Sequence, residues 1–275
     1  MITPHALLGA LWKFAPSFRN YEQQDAGEFL CYLLDRMNME LEEAFAKLHR
    51  GNFRGTTIVE STFAGALKSV VTCHGCKRKS TTQQQFMSLA LDIPVMHVAG
   101  SKRSRNIPSC TIEECLESFT ESELLGEACY SCSKCKGLQD ASKQLSIDVL
   151  PTVLCVVLKR FCWHVDDLAK VDTIVEFPLR GLDLSPHCAK KQKSALYNLR
   201  SVVVHHGQGM QYGHYTAFAL NEAKGSWMQY NDSKVTPTSE DVVRRGSDHE
   251  PYILFYERAK MSVQDSLLNA ERLDF

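Results

Sequence analysis

No apolar run in this sequence approaches the ~18 residues of a membrane-spanning helix, and the first residues lack the charged start and apolar stretch of a secretory signal. There is little net charge: 31 Lys and Arg stand against 32 Asp and Glu, a formal balance of -1, so no global field recruits nucleic acid or a membrane surface. Internal repeats and low-complexity tracts are missing. Against these absences, cysteine is plentiful, with 11 in 275 residues. In a chain read as intracellular, they are expected to be metal ligands, core residues or nucleophiles, not a disulfide framework. The 44% hydrophobic and 23% charged content is ordinary for a globular protein.

The clearest periodic segment is residues 22–48. Phe29, Leu30, Leu33, Leu34, Met37, Leu41, Phe45 and Leu48 recur at three- and four-residue spacing and predict one apolar helix face. Asp25 followed by Glu28 predicts a capping-box start. Shorter helices are expected at 5–14 and 111–120. Strands are predicted at 62–72, 86–93, 153–158, 197–205, 215–220, 227–230 and 252–256, so the second half reads as mostly β. Residues 97–109, with Lys102-Arg103-Ser104-Arg105, read as a solvated loop, and 259–275 as a polar tail.

Cys73-x2-Cys76 and Cys132-x2-Cys135 are two knuckles in turn-like sequence. Four thiolates offered in two pairs suit one structural Zn2+ held tetrahedrally. Because 55 residues separate the pairs, such a site would pin two distant segments together. Metal-free thiols are the first alternative, and a redox pair the second, disfavoured because no βαβ context surrounds either knuckle. Cys129 reads as a bystander, Cys110, Cys115 and Cys188 carry no motif, and Cys31, Cys155 and Cys162 read as core.

His214 carries the strongest chemical signal. It lies between Gly213 and Tyr215 in strand-like sequence, and Asn231-Asp232 follows seventeen residues later, a spacing one hairpin can close. An imidazole base needs its second nitrogen held so that the basic one faces a nucleophile, and either Asn231 or Asp232 can hold it. An amide suffices when the nucleophile is a thiol.

Taken together, these residues resemble the ubiquitin-specific proteases, the cysteine-protease deubiquitinases. The resemblance rests on the Gln23-Gln24-Asp25-Ala26-x-Glu28-Phe29-Leu30 helix start, the two knuckles, Leu158-Lys159-Arg160-Phe161 and Val203-Val204-His205-His206-Gly207. It continues through Gly213-His214-Tyr215-Thr216-Ala217, Trp227-x3-Asn231-Asp232-Ser233 and Pro251-Tyr252-Ile253-Leu254-Phe255-Tyr256, covering roughly residues 16–257. It implies an α+β, papain-like fingers–palm–thumb architecture with an incomplete thumb. Residues 1–258 would form the catalytic domain, with 1–50 as partial thumb, 51–150 mainly fingers and 151–258 palm, and 259–275 as the tail. His214, Asn231 and Asp232 would be catalytic. Gln24, Asp25, Phe161, His205, His206 and Tyr215 would bind the ubiquitin tail, with His205 to Gly207 in a loop beside it; Phe161 reads equally as core.

Cys73, Cys76, Cys132 and Cys135 would hold the zinc. Ubiquitin and ubiquitinated proteins, histones among them, would be the partners, with no direct nucleic acid and no membrane, inside the cell and with the nucleus favoured. The family's Asn-Thr-Cys nucleophile box does not occur ahead of the Gln-Gln-Asp helix here, and Cys31 is expected to be no substitute. The chain alone is therefore expected to be inactive, with a non-catalytic ubiquitin-binding pseudoenzyme as the alternative. Gly27 stands where the family usually carries a larger polar residue, and it is expected to loosen the tail channel.

Overall fold

The computed structural model describes residues 5–19, 23–48, 55–94, 108–164, 167–192, 194–209, 212–245 and 250–260. Five α-helices are described: α1 (His5–Phe14), α2 (Ala26–Leu48), α3 (Ile58–Phe63), α4 (Ile112–Thr120) and α5 (Glu240–Arg244). The described strands form two main sheets and three two-stranded ones.

The long helix begins at Ala26, four residues later than its periodicity predicts. Asp25 explains the offset: its Oδ1 accepts the Glu28 N–H at 2.8 Å, so the carboxylate caps the helix and leaves Gln23 and Gln24 outside it. Leu34 and Asn38 bury the inward side of α2. The Phe18 ring meets Phe29 edge-on at 5.5 Å and partly covers the expected apolar face. Cys31 is exposed, against the core reading; its thiol instead faces the Ser88 hydroxyl at 3.4 Å. The side chain of Cys162 lies outside the described residues, as do the basic run Lys102 to Arg105 and most of the tail.

The strand expected over 62–72 starts later, because residues 58–63 are helical. Thr57 and Glu60 form a reciprocal capping box, a Thr-x-x-Glu signature that the alternation at Phe63 obscures. The strand then runs Gly65–Cys73. The predicted strand 86–93 is divided into the end of Lys79–Phe86 and a separate Leu89–Leu91. Lys79–Phe86 is almost wholly exposed and polar, so no buried face marks it in the sequence.

A four-stranded sheet orders Lys79–Phe86, Gly65–Cys73, Ala141–Val149 and Glu123–Leu124. A larger sheet orders Lys234–Thr238, Ser226–Asn231, Tyr212–Asn221, Leu196–Gly209, Pro251–Arg258, Val153–Leu158 and Leu89–Leu91, with Arg180–Asp183 alongside Leu196–Gly209. Four strands predicted in the second half are present but longer, because hydrogen-bonded pairing continues past their apolar centres. The core packs this sheet against α4, with Leu154, Val156, Leu158, Ile112, Leu116 and Tyr256 fully buried. α2 caps the sheet at Val157 and Tyr252, where Gly27 permits close approach. A Cβ at residue 27 would sit 3.0 Å from both Val157 Cγ1 and Asp25 Oδ1. The glycine thus permits a close seat of α2 on the sheet.

Candidate active site and cysteine centre

His214 lies in the strand Tyr212–Asn221, and Asn231 ends the next strand, Ser226–Asn231. The register pairs Ala217 with Tyr230, so Asn231 stands one step beyond, near His214. Asp232 and Ser233 make the turn to Lys234, and Asp232 takes a left-handed φ of 49° that an aspartate tolerates. The result is a contact of 2.7 Å between His214 Nε2 and Asn231 Oδ1. An amide oxygen only accepts, so Nε2 carries the proton and Nδ1 is the basic nitrogen. Asp232 Oδ2 is 4.0 Å from the same Nε2 and 81% exposed, so water screens its charge. Of the two candidate orienters, Asn231 makes the direct bond.

Alternation along the strands divides the histidines between the sheet's faces. His206 is paired opposite His214, and its Nε2 lies 2.8 Å from Thr216 Oγ1. His205 is paired opposite Tyr215, with ring centroids 4.8 Å apart. Both histidines belong to the strand Leu196–Gly209, not to a loop. Gly213 makes room for His205: a Cβ there would fall 2.0 Å from the imidazole Nε2.

His205 and Tyr215 belong to an aromatic cluster that adjoins the start of α2. Phe161 meets His205 at 5.2 Å and Tyr252 at 5.7 Å. Tyr252 donates its hydroxyl hydrogen to Asp25 Oδ2, and Tyr215 Oη accepts the Ala26 N–H at 3.4 Å. Burial raises the pKa of both phenols, Tyr215 to about 12, so both keep their protons. Gln24, next along the chain, donates to Ser17 O at 3.3 Å. Five of the six residues predicted to bind the tail, Gln24, Asp25, Phe161, His205 and Tyr215, therefore converge here, while His206 faces the other way.

Two buried cations that sequence reasoning left without roles brace this corner. Arg160 donates to Pro251 O at 2.6 Å and to Val171 O and Thr173 O at 2.9 Å each, fastening the strand that carries Tyr252. Burial lowers its pKa to about 10. Lys170 donates to His205 O at 3.0 Å and Gly207 O at 2.6 Å, and pairs with Glu250. Burial, reinforced by Arg160, lowers Lys170 to about 8. The same burial, with Lys170 second, pushes His205 down to about 4. No local spacing signals these cations, because their carbonyl partners lie 11 to 91 residues away along the chain.

The four predicted metal-ligand cysteines converge, with all sulfurs within 4.8 Å of one another. The Cys73–Cys135 separation is 3.9 Å and the Cys76–Cys132 separation 3.6 Å. A tetrahedron of Zn–S bonds of ~2.3 Å has edges of ~3.8 Å, so the donor set fits a zinc tetrathiolate. Each knuckle is closed by a lysine with left-handed φ, Lys77 at 58° and Lys136 at 56°. Their N–H groups donate to Cys73 O and Cys132 O at 2.9 and 2.8 Å. Backbone N–H groups of Cys135 and Lys134 lower Cys132 to about 6, whereas Cys135, whose thiol hydrogen-bonds with that of Cys76, rises to about 12. The other described cysteines lie elsewhere: Cys110 and Cys115 are buried 3.9 Å apart, and Cys155 is buried in the large sheet. Cys129 and Cys188 hydrogen-bond to backbone carbonyls. None of these sulfur contacts involves His214.

Residues 1–256 match the family model described as ubiquitin carboxyl-terminal hydrolase. Human "Ubiquitin carboxyl-terminal hydrolase 3" is 41% identical over 276 residues, covering 92% of this chain and 52% of that protein. The zebrafish (Danio rerio) "Ubiquitin carboxyl-terminal hydrolase 44" is 36% identical, over 93% of this chain and 40% of its own length. Among solved structures, a chain of the SAGA DUB module of Ubp8, Sgf11, Sus1 and Sgf73 bound to monoubiquitin superposes with a TM-score of 0.73. It is 33% identical and covers 91% of this chain and 52% of its own. The chain thus spans about half the length, or less, of the curated relatives it matches. Its sheets, knuckles and His-Asn pair have a common explanation: it belongs to the ubiquitin carboxyl-terminal hydrolase family, with the papain-like fold of the ubiquitin-specific proteases.

Proposed function

We propose that this chain contributes the base, orienter and tail channel of a thiol-dependent hydrolase that cleaves the isopeptide or peptide bond at the C-terminal glycine of ubiquitin. The observation that carries this reading is the 2.7 Å contact between His214 Nε2 and Asn231 Oδ1, which leaves Nδ1 free to take a thiol proton. The resulting thiolate attacks the glycine carbonyl, the imidazolium returns its proton to the leaving amine, and water hydrolyses the thioester. Asp232 adds a screened charge. Asp25, already bonded to Tyr252, retains acceptor capacity for a basic residue of the ubiquitin tail. Gln24, Phe161, His205 and Tyr215 flank that path, and His206 contacts the substrate from the His214 side. One Zn2+ held by Cys73, Cys76, Cys132 and Cys135 supplies a structural cross-link and no chemistry. The partial-thumb, fingers and palm divisions at 1–50, 51–150 and 151–258 belong to this proposal. So does an intracellular role on ubiquitinated proteins, with nuclear histones favoured.

Residues 1–275 by themselves are proposed to bind ubiquitin without cleaving it, because the described thiols make their contacts away from His214. A ubiquitin-binding pseudoenzyme is the second reading, favoured by that same observation. The purified chain should therefore form no adduct with an electrophilic ubiquitin probe. It should bind ubiquitin, and bind more weakly when the last residues of ubiquitin are removed or Asp25 is changed to Asn. An adduct on any of its cysteines would refute the inactivity. Tail-independent binding would refute the channel. Nitrogen-15 shifts of His214 test the base directly: they should report a protonated Nε2 that becomes a tautomer mixture in Asn231→Ala.

A further inference from the structure

A cavity of 610 Å³ lies away from the histidine site, beside α4 and the strand Ala141–Val149. Its volume falls in the range of ligand-binding clefts. One wall is the outer edge of that strand, formed by Gln144, Leu145 and Ser146.

On an antiparallel strand, the N–H and C=O of every second residue point toward the same neighbour. Three contacts identify the outward set here. Leu125 N–H donates to Ala141 O at 2.9 Å, Glu123 is paired with Lys143, and Ala189 N–H donates to Ile147 O at 2.8 Å. The outward-facing residues are therefore 141, 143, 145 and 147. Segments of this chain cover the first two and the last. Leu145 falls in the gap between Glu123–Leu124 and Cys188–Ala189, so its N–H and C=O open into the cavity without a protein partner among the described residues.

The lining has a definite charge. Glu117 and Glu121 are exposed on its α4 side, and neither lysine nor arginine lines it. His187 at the floor is buried, with Nδ1 2.9 Å from Thr120 Oγ1. Gln144 Nε2 donates to Thr120 O at 3.3 Å and fixes the end of α4 beside the open edge. An unpaired strand segment in an anionic groove suits an extended main chain that carries positive charge.

We propose that this groove binds a short extended segment of a partner protein bearing Lys or Arg. One residue of the segment pairs with Leu145 through its own N–H and C=O, with a cationic side chain of the segment between Glu117 and Glu121. This does not depend on the hydrolase reading, since none of these residues belongs to the histidine or cysteine sites.

The test titrates the isotope-labelled 275-residue chain with the capped peptide acetyl-Val-Lys-Val-Lys-Val-amide. The Leu145 amide resonance should shift saturably at ~1 mM peptide, and the corresponding glutamate peptide should leave it unmoved. Two further peptides carry N-methyl groups on alternate residues, one set in each phase. An added strand has only one edge against Leu145, so one methylation phase should weaken binding about tenfold or more and the other should not. The double variant Glu117→Gln, Glu121→Gln, at exposed positions, should keep its melting temperature and lose about tenfold in affinity. The proposal is overturned if Leu145 does not respond, if both methylated peptides bind like the parent, or if the glutamate peptide or the double variant binds equally well.

Discussion

Replacing Gly27 with alanine sets two effects of opposite sign against each other. Residue 27 lies in the first turn of α2, where alanine gains up to ~1 kcal/mol of helix propensity over glycine. The structure opposes that gain. The new methyl would stand 3.0 Å from Val157 Cγ1, 3.0 Å from Asp25 Oδ1 and 3.1 Å from Tyr252 Oη. Val157 is in a strand paired on both sides and Tyr252 is buried, so neither can withdraw cheaply. Overpacking of this kind costs ~1–3 kcal/mol. Asp25 Oδ1 is also the cap acceptor for Glu28 N–H, and disturbing it costs ~1 kcal/mol more. The net expectation is a loss of ~1–3 kcal/mol, or ~2–8 °C in Tm for a domain of this size. Differential scanning calorimetry of Gly27→Ala measures it. Val157→Ala in the same chain should recover part of the loss, a coupling read by a double-mutant cycle. A Tm equal to or above that of the parent would show that propensity wins and that the tight seat of α2 is not real.

Three other outcomes follow from the same geometry. His205 is held down at about 4 in the folded chain, whereas an unfolded histidine titrates near ~6.5. Between those values the unfolded chain binds more protons, so stability should fall as pH drops from ~6.5 toward ~4, by at most ~1.4 kcal/mol per pH unit. Urea unfolding at pH 7 and pH 5 measures the slope, and His205→Gln should flatten it; an unchanged midpoint across the window would contradict the burial argument. Tyr252→Phe removes the hydroxyl given to Asp25, a bond to a charged group worth ~1.5–3 kcal/mol, and should lower the denaturation midpoint accordingly. The chain should purify with one zinc per molecule, and Cys135→Ser or a strong chelator should release the metal and loosen the Cys73–Cys135 and Cys76–Cys132 contacts. A metal-free chain with undiminished Tm would remove the zinc from the account.

Much of this molecule is legible in local spacing. The Asp25 cap, the long helix, the two cysteine knuckles and the strands of the second half depend on residues a few positions apart, and each has its counterpart in the structure, although Met37 and Leu48 of the expected apolar helix face are exposed. The misses have local causes as well. Thr57 and Glu60 cap a helix where strand-like residues follow, and Lys79–Phe86 pairs through its backbone with no buried face to betray it. Cys31 looks apolar in context but falls on the exposed side of α2.

The sequence by itself determined the chemical inventory: a histidine with an amide and a carboxylate one hairpin away, four thiols in two pairs, and a capped helix with an acidic start. Only the tertiary structure decided how these groups are used. Strand register and the turn at Asp232 gave the histidine to Asn231 and left Asp232 at 4.0 Å in water. Alternation sent His205 and His206 to opposite faces, and buried Arg160 and Lys170 found carbonyl partners across strands. The open edge at Leu145 exists only because two distant segments stop on either side of it. Such choices rest on contacts between residues tens to hundreds of positions apart, and the order of residues along the chain carries no direct record of those distances.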